Sequence, residues 1–242
     1  MNIYKLDLGI NNGIVNVNIT RKPIKNVHLK VFRDLSVNLS VPKAVPDEWI
    51  DKFLMDRTTW IDKQIAKYKQ SSGYNNLSNI KSGSSTQLLG KDMRIYKKAS
   101  MANSVEVEEK SINVFLKDVN NEELANKLFN HWWRQQAEDV FNKELDIIFD
   151  RVFRKYSIAR PTIVVKKMKT LWGSCTKSKS KITLNEYLLK ADIRCIQYVL
   201  LHELTHLMYT YHNSDFYNFL TIQMPDWKDR KKQLDKEVVQ GL

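Results

Sequence analysis

The stretch LLHELTHLMYTYHNSDFY, residues 200–217, places three of the chain's five histidines within eleven residues, at His202, His206 and His212, with Glu203 directly after the first. Histidines at i and i+4 project from one helix face about 6 Å apart, the separation at which two imidazoles share a metal ion. His202-Glu203-Leu204-Thr205-His206 is therefore HExxH, two zinc ligands flanking a carboxylate that stands beside the metal. Zinc lowers the pKa of a bound water to about 7, so Glu203 is expected to take its proton as the general base. A catalytic zinc site needs three protein ligands and one open position. His212 is the expected third ligand, six residues after His206, the gap found in HExxHxxGxxH peptidases. The glycine of that pattern is replaced by Tyr209, so the chain must turn back by other means. Asp215 is the alternative third ligand, and nothing in the spacing of Glu144 or the other acids of its segment singles one out.

Outward from this stretch, Asp192 is a fitting N-cap for a helix carrying Ile193, Ile196, Val199, Leu200, Leu204 and Leu207. Asn213-Ser214-Asp215 reads as the cap of a following helix with Phe216, Phe219 and Leu220, which puts His212 at a helix-to-helix junction. Upstream, TIVVKKM after Pro161 reads as a strand, TLWGSCTKSKSK as turn-like, and KITL as a short apolar stretch. An edge strand beside the HExxH helix is where an extended peptide could pair. From Asn121 to about residue 155, Leu124, Leu128, Phe129, Trp132, Trp133, Val140, Phe141, Leu145, Ile148 and Phe149 mark a long amphipathic helix.

The first part of the chain reads as β. Residues 14–20, 26–32 and 35–41 alternate apolar and polar side chains, with Arg33-Asp34 as a tight turn. Pro46-Asp47-Glu48 opens a helix over about 47–69, whose Trp49, Phe53, Trp60, Ile61, Ile65 and Tyr68 are expected to pack into the core. Residues 71–85, rich in Ser, Asn and Gly, form an expected loop, and QLLG, MRIYKK, SVEVEE and SINVFL are short strand candidates. The expected fold class is α+β: a β-rich N-terminal lobe, residues 1–118, followed by a helical catalytic lobe with a small sheet, residues 119–242. No internal repeat is visible.

Two cysteines, Cys175 and Cys195, supply too few thiolates for a zinc site, so any metal falls to histidine and carboxylate. No apolar run reaches the roughly 18 residues of a membrane span, and the N-terminus lacks the order of a signal peptide, so a cytoplasmic protein is expected. The net charge of +12 includes clusters at 166–169, 177–181 and 228–233. This surplus supports an alternative function, a nucleic-acid-associated binding protein with a structural or vestigial zinc site. The bland reading is a scattered lysine-rich surface.

The ordered set Trp60-Ile61, Trp172-Gly173-Ser174-Cys175, Leu184-Asn185, Tyr198-Val199 through HELTHL, His212 with Phe216, and Pro225-Asp226-Trp227-Lys228 resembles the YgjP-like zinc metallopeptidase domain, related to SprT and WLM type zincins. The resemblance implies a zincin-like catalytic half holding Zn2+ on His202, His206 and His212, with Glu203 as base and peptides or proteins as substrates. Two positions depart from the family's usual residues: Leu171 stands for Arg, and Tyr217 for Trp. Trp172 is expected to pack rather than touch substrate, and Cys175 to be a small buried residue rather than a nucleophile. Tyr209 and Tyr211 are candidates for steadying an oxyanion.

Overall fold

The computed structural model describes residues 2–9, 13–32, 35–70, 80–168 and 171–241, and side chains within these except at 2, 67–70 and 236–241. The expected turn at Arg33-Asp34, the packing of Tyr68 and the first part of the 71–85 loop lie outside the described residues. The chain forms two compact units, Met1–Tyr74 and Asn75–Leu242.

In the first unit, strands β1 (Asn2–Asp7), β2 (Ile14–Lys22), β3 (His28–Val31) and β4 (Val37–Pro42) form a sheet in the order β1-β2-β4-β3. The β2/β4 pair is parallel and the flanking pairs are antiparallel. Val37, Leu39 and Val41 alternate inward from β4, and helix α1 (Asp47–Gln70) adds Ile50, Leu54, Ile61 and Ile65 to the same core. The expected aromatic stripe is only partly internal. Trp49 and Trp60 are 43% and 42% exposed, and Trp49 stacks on Phe53 at 4.9 Å along the flank of the helix. The apolar pattern on α1 is wider than its buried face, and the aliphatic residues fill the core first.

The second unit opens with β5 (Ser85–Leu88), β6 (Lys91–Ala99), β7 (Ser104–Val107) and β8 (Ser111–Leu116), ordered β5-β6-β8-β7 with β6/β8 parallel. This is the pairing scheme of the first sheet over again, and a long helix follows each. The repeat is one of topology alone, set by strand patterning and turns rather than residue identity, so no sequence period reveals it. Helix α2 (Glu122–Ile148), capped by the Asn121 side chain on the Leu124 N–H, continues through a π turn (Phe149–Phe153) and a 3-10 turn (Arg154–Tyr156).

Met93, Ile95, Ile112, Val114 and Leu116 of this sheet share one core with Phe129, Trp133, Phe141 and Leu145 of α2. The structural division therefore falls at residues 74/75 and not near residue 118. The change of pattern at 118 marks a switch of element type inside one packed body. The α+β class stands, with the second sheet belonging to the unit that carries the HExxH stretch.

A three-stranded sheet, β10-β11-β9, completes the frame: β9 (Thr162–Lys166), β10 (Gly173–Thr176) and β11 (Lys181–Asn185). GSCT, expected to be turn-like, is thus an edge strand paired antiparallel to β11. Helices α3 (Ile193–Thr205), α4 (Ser214–Gln223) and α5 (Trp227–Gly241) follow, with α3 lying against α2, β10, α4 and α5. The β5/β6 turn fixes the start of α3. Leu89 and Gly90 adopt left-handed conformations, their N–H groups donate to Leu189 and Lys190 carbonyls, and a Cβ on Gly90 would sit 3.2 Å from Asp192. Among the described residues, no helix is long and apolar enough to cross a membrane.

Candidate metal centre

Asp192 caps α3 through the Arg194 N–H at 2.8 Å, and the helix then presents His202 in its last turn and His206 as its C-cap. No left-handed residue makes the turn that follows. Leu207, Met208 and Tyr209 N–H groups donate back to Leu204 and Thr205 carbonyls, and the His206 Nδ1 lies 3.1 Å from the Tyr209 carbonyl. The 206–209 segment is thereby closed without a glycine. Asn213 then caps α4 on the Phe216 N–H at 3.1 Å, which leaves His212 on the junction.

This path brings His202, His206 and His212 together, with one ligand nitrogen of each within 4.8 Å of the others. The Nε2 atoms of His202 and His212 are 3.0 Å apart. The contact between His206 Nδ1 and a carbonyl assigns the proton to Nδ1 and leaves Nε2 as a free donor, the usual outer arrangement of a metal-bound histidine. Burial, then His206, His212 and Lys231, pushes the His202 pKa down to about 3, and burial, His206 and Lys231 lower that of His212. Both rings are therefore neutral near pH 7, the form that binds metal. The three donors and their spacing fit a metal ion.

Glu203 is 6% exposed and faces β10. A Cβ on Gly173 would lie 2.7 Å from Glu203 Cγ and 2.8 Å from Oε1, so a glycine is required for the carboxylate to rest there. Burial raises the Glu203 pKa to about 7, opposed by a hydrogen bond from the Cys175 N–H. WGSC thus has a physical role at two of its positions: Gly173 makes room for the carboxylate and the Cys175 amide holds it. Asn185 supports the approach to β10, its Nδ2 donating to the Met168 and Leu171 carbonyls at 2.8 and 3.0 Å.

Asp215 is exposed in the first turn of α4 and is not in the cluster, while buried Glu144 accepts from Gln197 Nε2 at 2.8 Å. Trp172 is half-buried against the main core. Burial and then Glu203, against Lys177, push the Cys175 thiol up to about 11, so it is protonated near neutral pH. The Tyr209 ring packs 5.8 Å from Phe219, and Tyr211 is 78% exposed. Phe216, expected as an apolar residue of the following helix and as the partner of His212 in the resemblance, has its ring 5.0, 4.8 and 4.7 Å from those of His202, His206 and His212. The one signal of this in the sequence is its offset of four from His212, which puts both on one side of the junction.

Comparison with known proteins supplies first the class and then the family. The description "YgjP-like, metallopeptidase domain" matches residues 25–237, which makes the chain a metallopeptidase, an enzyme class that uses a metal ion on peptide or protein substrates. The chain belongs to the YgjP-like family. Among solved structures, it is similar to the metallopeptidase zymogen of Methanocaldococcus jannaschii jannalysin, with 19% identity, a TM-score of 0.36, and coverage of 40% of this chain and 96% of that one. The metallopeptidase zymogen of Pyrococcus abyssi abylysin is similar at 19% identity and a TM-score of 0.35, covering 44% and 98%. No curated protein matches the chain.

Proposed function

We propose that the chain is a zinc-dependent peptidase in which His202, His206 and His212 hold the metal and Glu203 is the general base. The observation that carries this reading is the convergence of three imidazoles beside a buried carboxylate. Three histidines without a thiolate or carboxylate form a zinc-type donor set that leaves a fourth position open. Zinc, when bound, acts as a Lewis acid that polarises a carbonyl and lowers the pKa of a water it binds.

Glu203 is held on β10 by the Cys175 N–H and the bare face of Gly173, where it accepts a proton from the attacking water and returns it to the leaving amine. A dication held on the three histidines would draw the Glu203 pKa below its metal-free value and favour the carboxylate at neutral pH. Among the described residues β10 pairs only with β11, which favours an extended peptide lying along its other side by strand addition. Glu203→Gln keeps the shape of the side chain and removes the base. The variant is expected to retain zinc and lose cleavage of a denatured protein; undiminished hydrolysis would sink the assigned role.

A further inference from the structure

The stretch Pro225-Asp226-Trp227 lies beyond the HExxH helix, yet its side chains reach the elements that carry two of the histidines. Trp227 stacks with Tyr198 of α3, centroids 6.3 Å apart and planes 12° apart, and with Tyr217 of α4, at 5.5 Å and 17°. Tyr198 in turn meets the His202 ring edge-on at 6.0 Å, and Tyr217 lies 6.1 Å from the His212 ring at 28°. One indole, 8% exposed, thus sends an aromatic arm to each of two histidines.

The indole itself is fixed. Its Nε1 donates to Thr221 Oγ1 at 2.9 Å, and Asp226 before it accepts from Arg194 Nη2 at 2.7 Å and Arg230 Nε at 3.0 Å. Arg230 also donates to Gln197 Oε1 at 2.9 Å, which ties the start of α5 to α3 a second time.

His202 has particular need of such support. Metal-bound histidines are ordinarily oriented by a hydrogen bond on the second ring nitrogen. His206 has one, on the Tyr209 carbonyl, but the buried Nδ1 of His202 has no hydrogen-bond partner among the described residues. Ring packing from Tyr198 and Phe216 must therefore set the plane of His202.

We propose that Trp227 is a positioning residue of the metal site, setting the ring planes of His202 and His212 through Tyr198 and Tyr217. This rests on the reading of the three histidines as zinc ligands. The test is the zinc dissociation constant of the full chain by chelator competition. Trp227→Ala is expected to weaken zinc by about 10- to 100-fold, the usual range for loss of an outer partner, whereas Trp227→Phe, which keeps a flat ring, stays within about threefold of wild type. Leu234→Ala removes another buried side chain of α5 and should lower the melting temperature without changing zinc affinity.

Tyr217→Ala cuts the arm to His212 at a partly exposed position and should weaken zinc on its own. Combined with Trp227→Ala it should add less than its separate effect, because both act through one contact chain. A folded Trp227→Ala chain with wild-type affinity overturns the proposal, as does a Leu234→Ala chain that loses as much. Should Trp227→Ala fail to fold, unchanged affinity in Tyr217→Ala overturns it instead. Wild-type chain that binds no zinc would bring down the ligand reading itself, a result distinct from tight wild-type binding that Trp227→Ala leaves intact.

Discussion

Replacing Gly173 with alanine moves Glu203 and leaves the histidines alone. The three nearest atoms to a Cβ at this position all belong to Glu203: Cγ at 2.7 Å, Oε1 at 2.8 Å and Cδ at 3.0 Å. Ordinary contact begins near 3.4 Å, so the carboxylate must withdraw by more than half an ångström or β10 must back away. Gly173 is not among the residues with positive φ, so alanine meets no backbone strain there. β10 is held in register with β11 from Gly173↔Leu184 to Thr176↔Lys181, which makes the glutamate the part that yields.

A displacement near 1 Å in a catalytic group costs on the order of 10²-fold in rate, and loss of a general base spans about 10² to 10⁴. Gly173→Ala is therefore expected to lower kcat/KM by about 10²-fold, close to 3 kcal/mol of transition-state stabilisation. The assay is hydrolysis of a quenched peptide pool, with zinc content measured on the same samples and expected to match wild type. Turnover within about threefold of wild type would refute the reasoning that Gly173 exists to seat Glu203.

Two further outcomes follow from the packing around the site. Lys190 is 5% exposed, and burial lowers its pKa from 10.5 to about 8. The folded chain then binds fewer protons than the unfolded chain between those values, so its contribution to stability rises with pH through that window and the penalty is full below about pH 8. At about 1.4 kcal/mol per tenfold in proton affinity, Lys190→Met relieves up to about 3 kcal/mol at pH 7, less what is lost with the Lys190 contact over the Tyr187 ring. The gain should shrink towards pH 10 in urea unfolding, and a pH-independent difference would contradict the burial argument. Gly90→Ala forces a left-handed alanine and presses on Asp192 at 3.2 Å, so it should destabilise the chain by about 1–2 kcal/mol, read from the same unfolding curves; no change would mean that the turn does not brace α3.

The parts of the site that were legible in the sequence are those set by near neighbours. Asp192 and Asn213 announce the two helix starts because capping acts over two or three residues, and the HExxH spacing follows from helical geometry. The seat for Glu203 was hidden, because Gly173-Ser174 looks like a turn until β11 is known to pair with it. Contacts such as Arg194 with Asp226, or Trp227 with Tyr198, join residues some thirty positions apart and leave no periodic trace. The expected break near residue 118 followed a change of pattern, but a sheet and a helix that share Ile112, Val114 and Phe129 in one core cannot part there. On α1, apolar character alone did not separate the buried Ile50 and Leu54 from the exposed Trp49 and Trp60.

The most direct test of the metal site is elemental mass spectrometry on the purified chain and on His212→Ala, each after zinc has been supplied and excess removed. The account predicts about one zinc per wild-type chain and far less in the variant, since the three-donor set falls to two. A wild-type chain without metal, or a variant that keeps a full equivalent, would contradict the three-histidine centre.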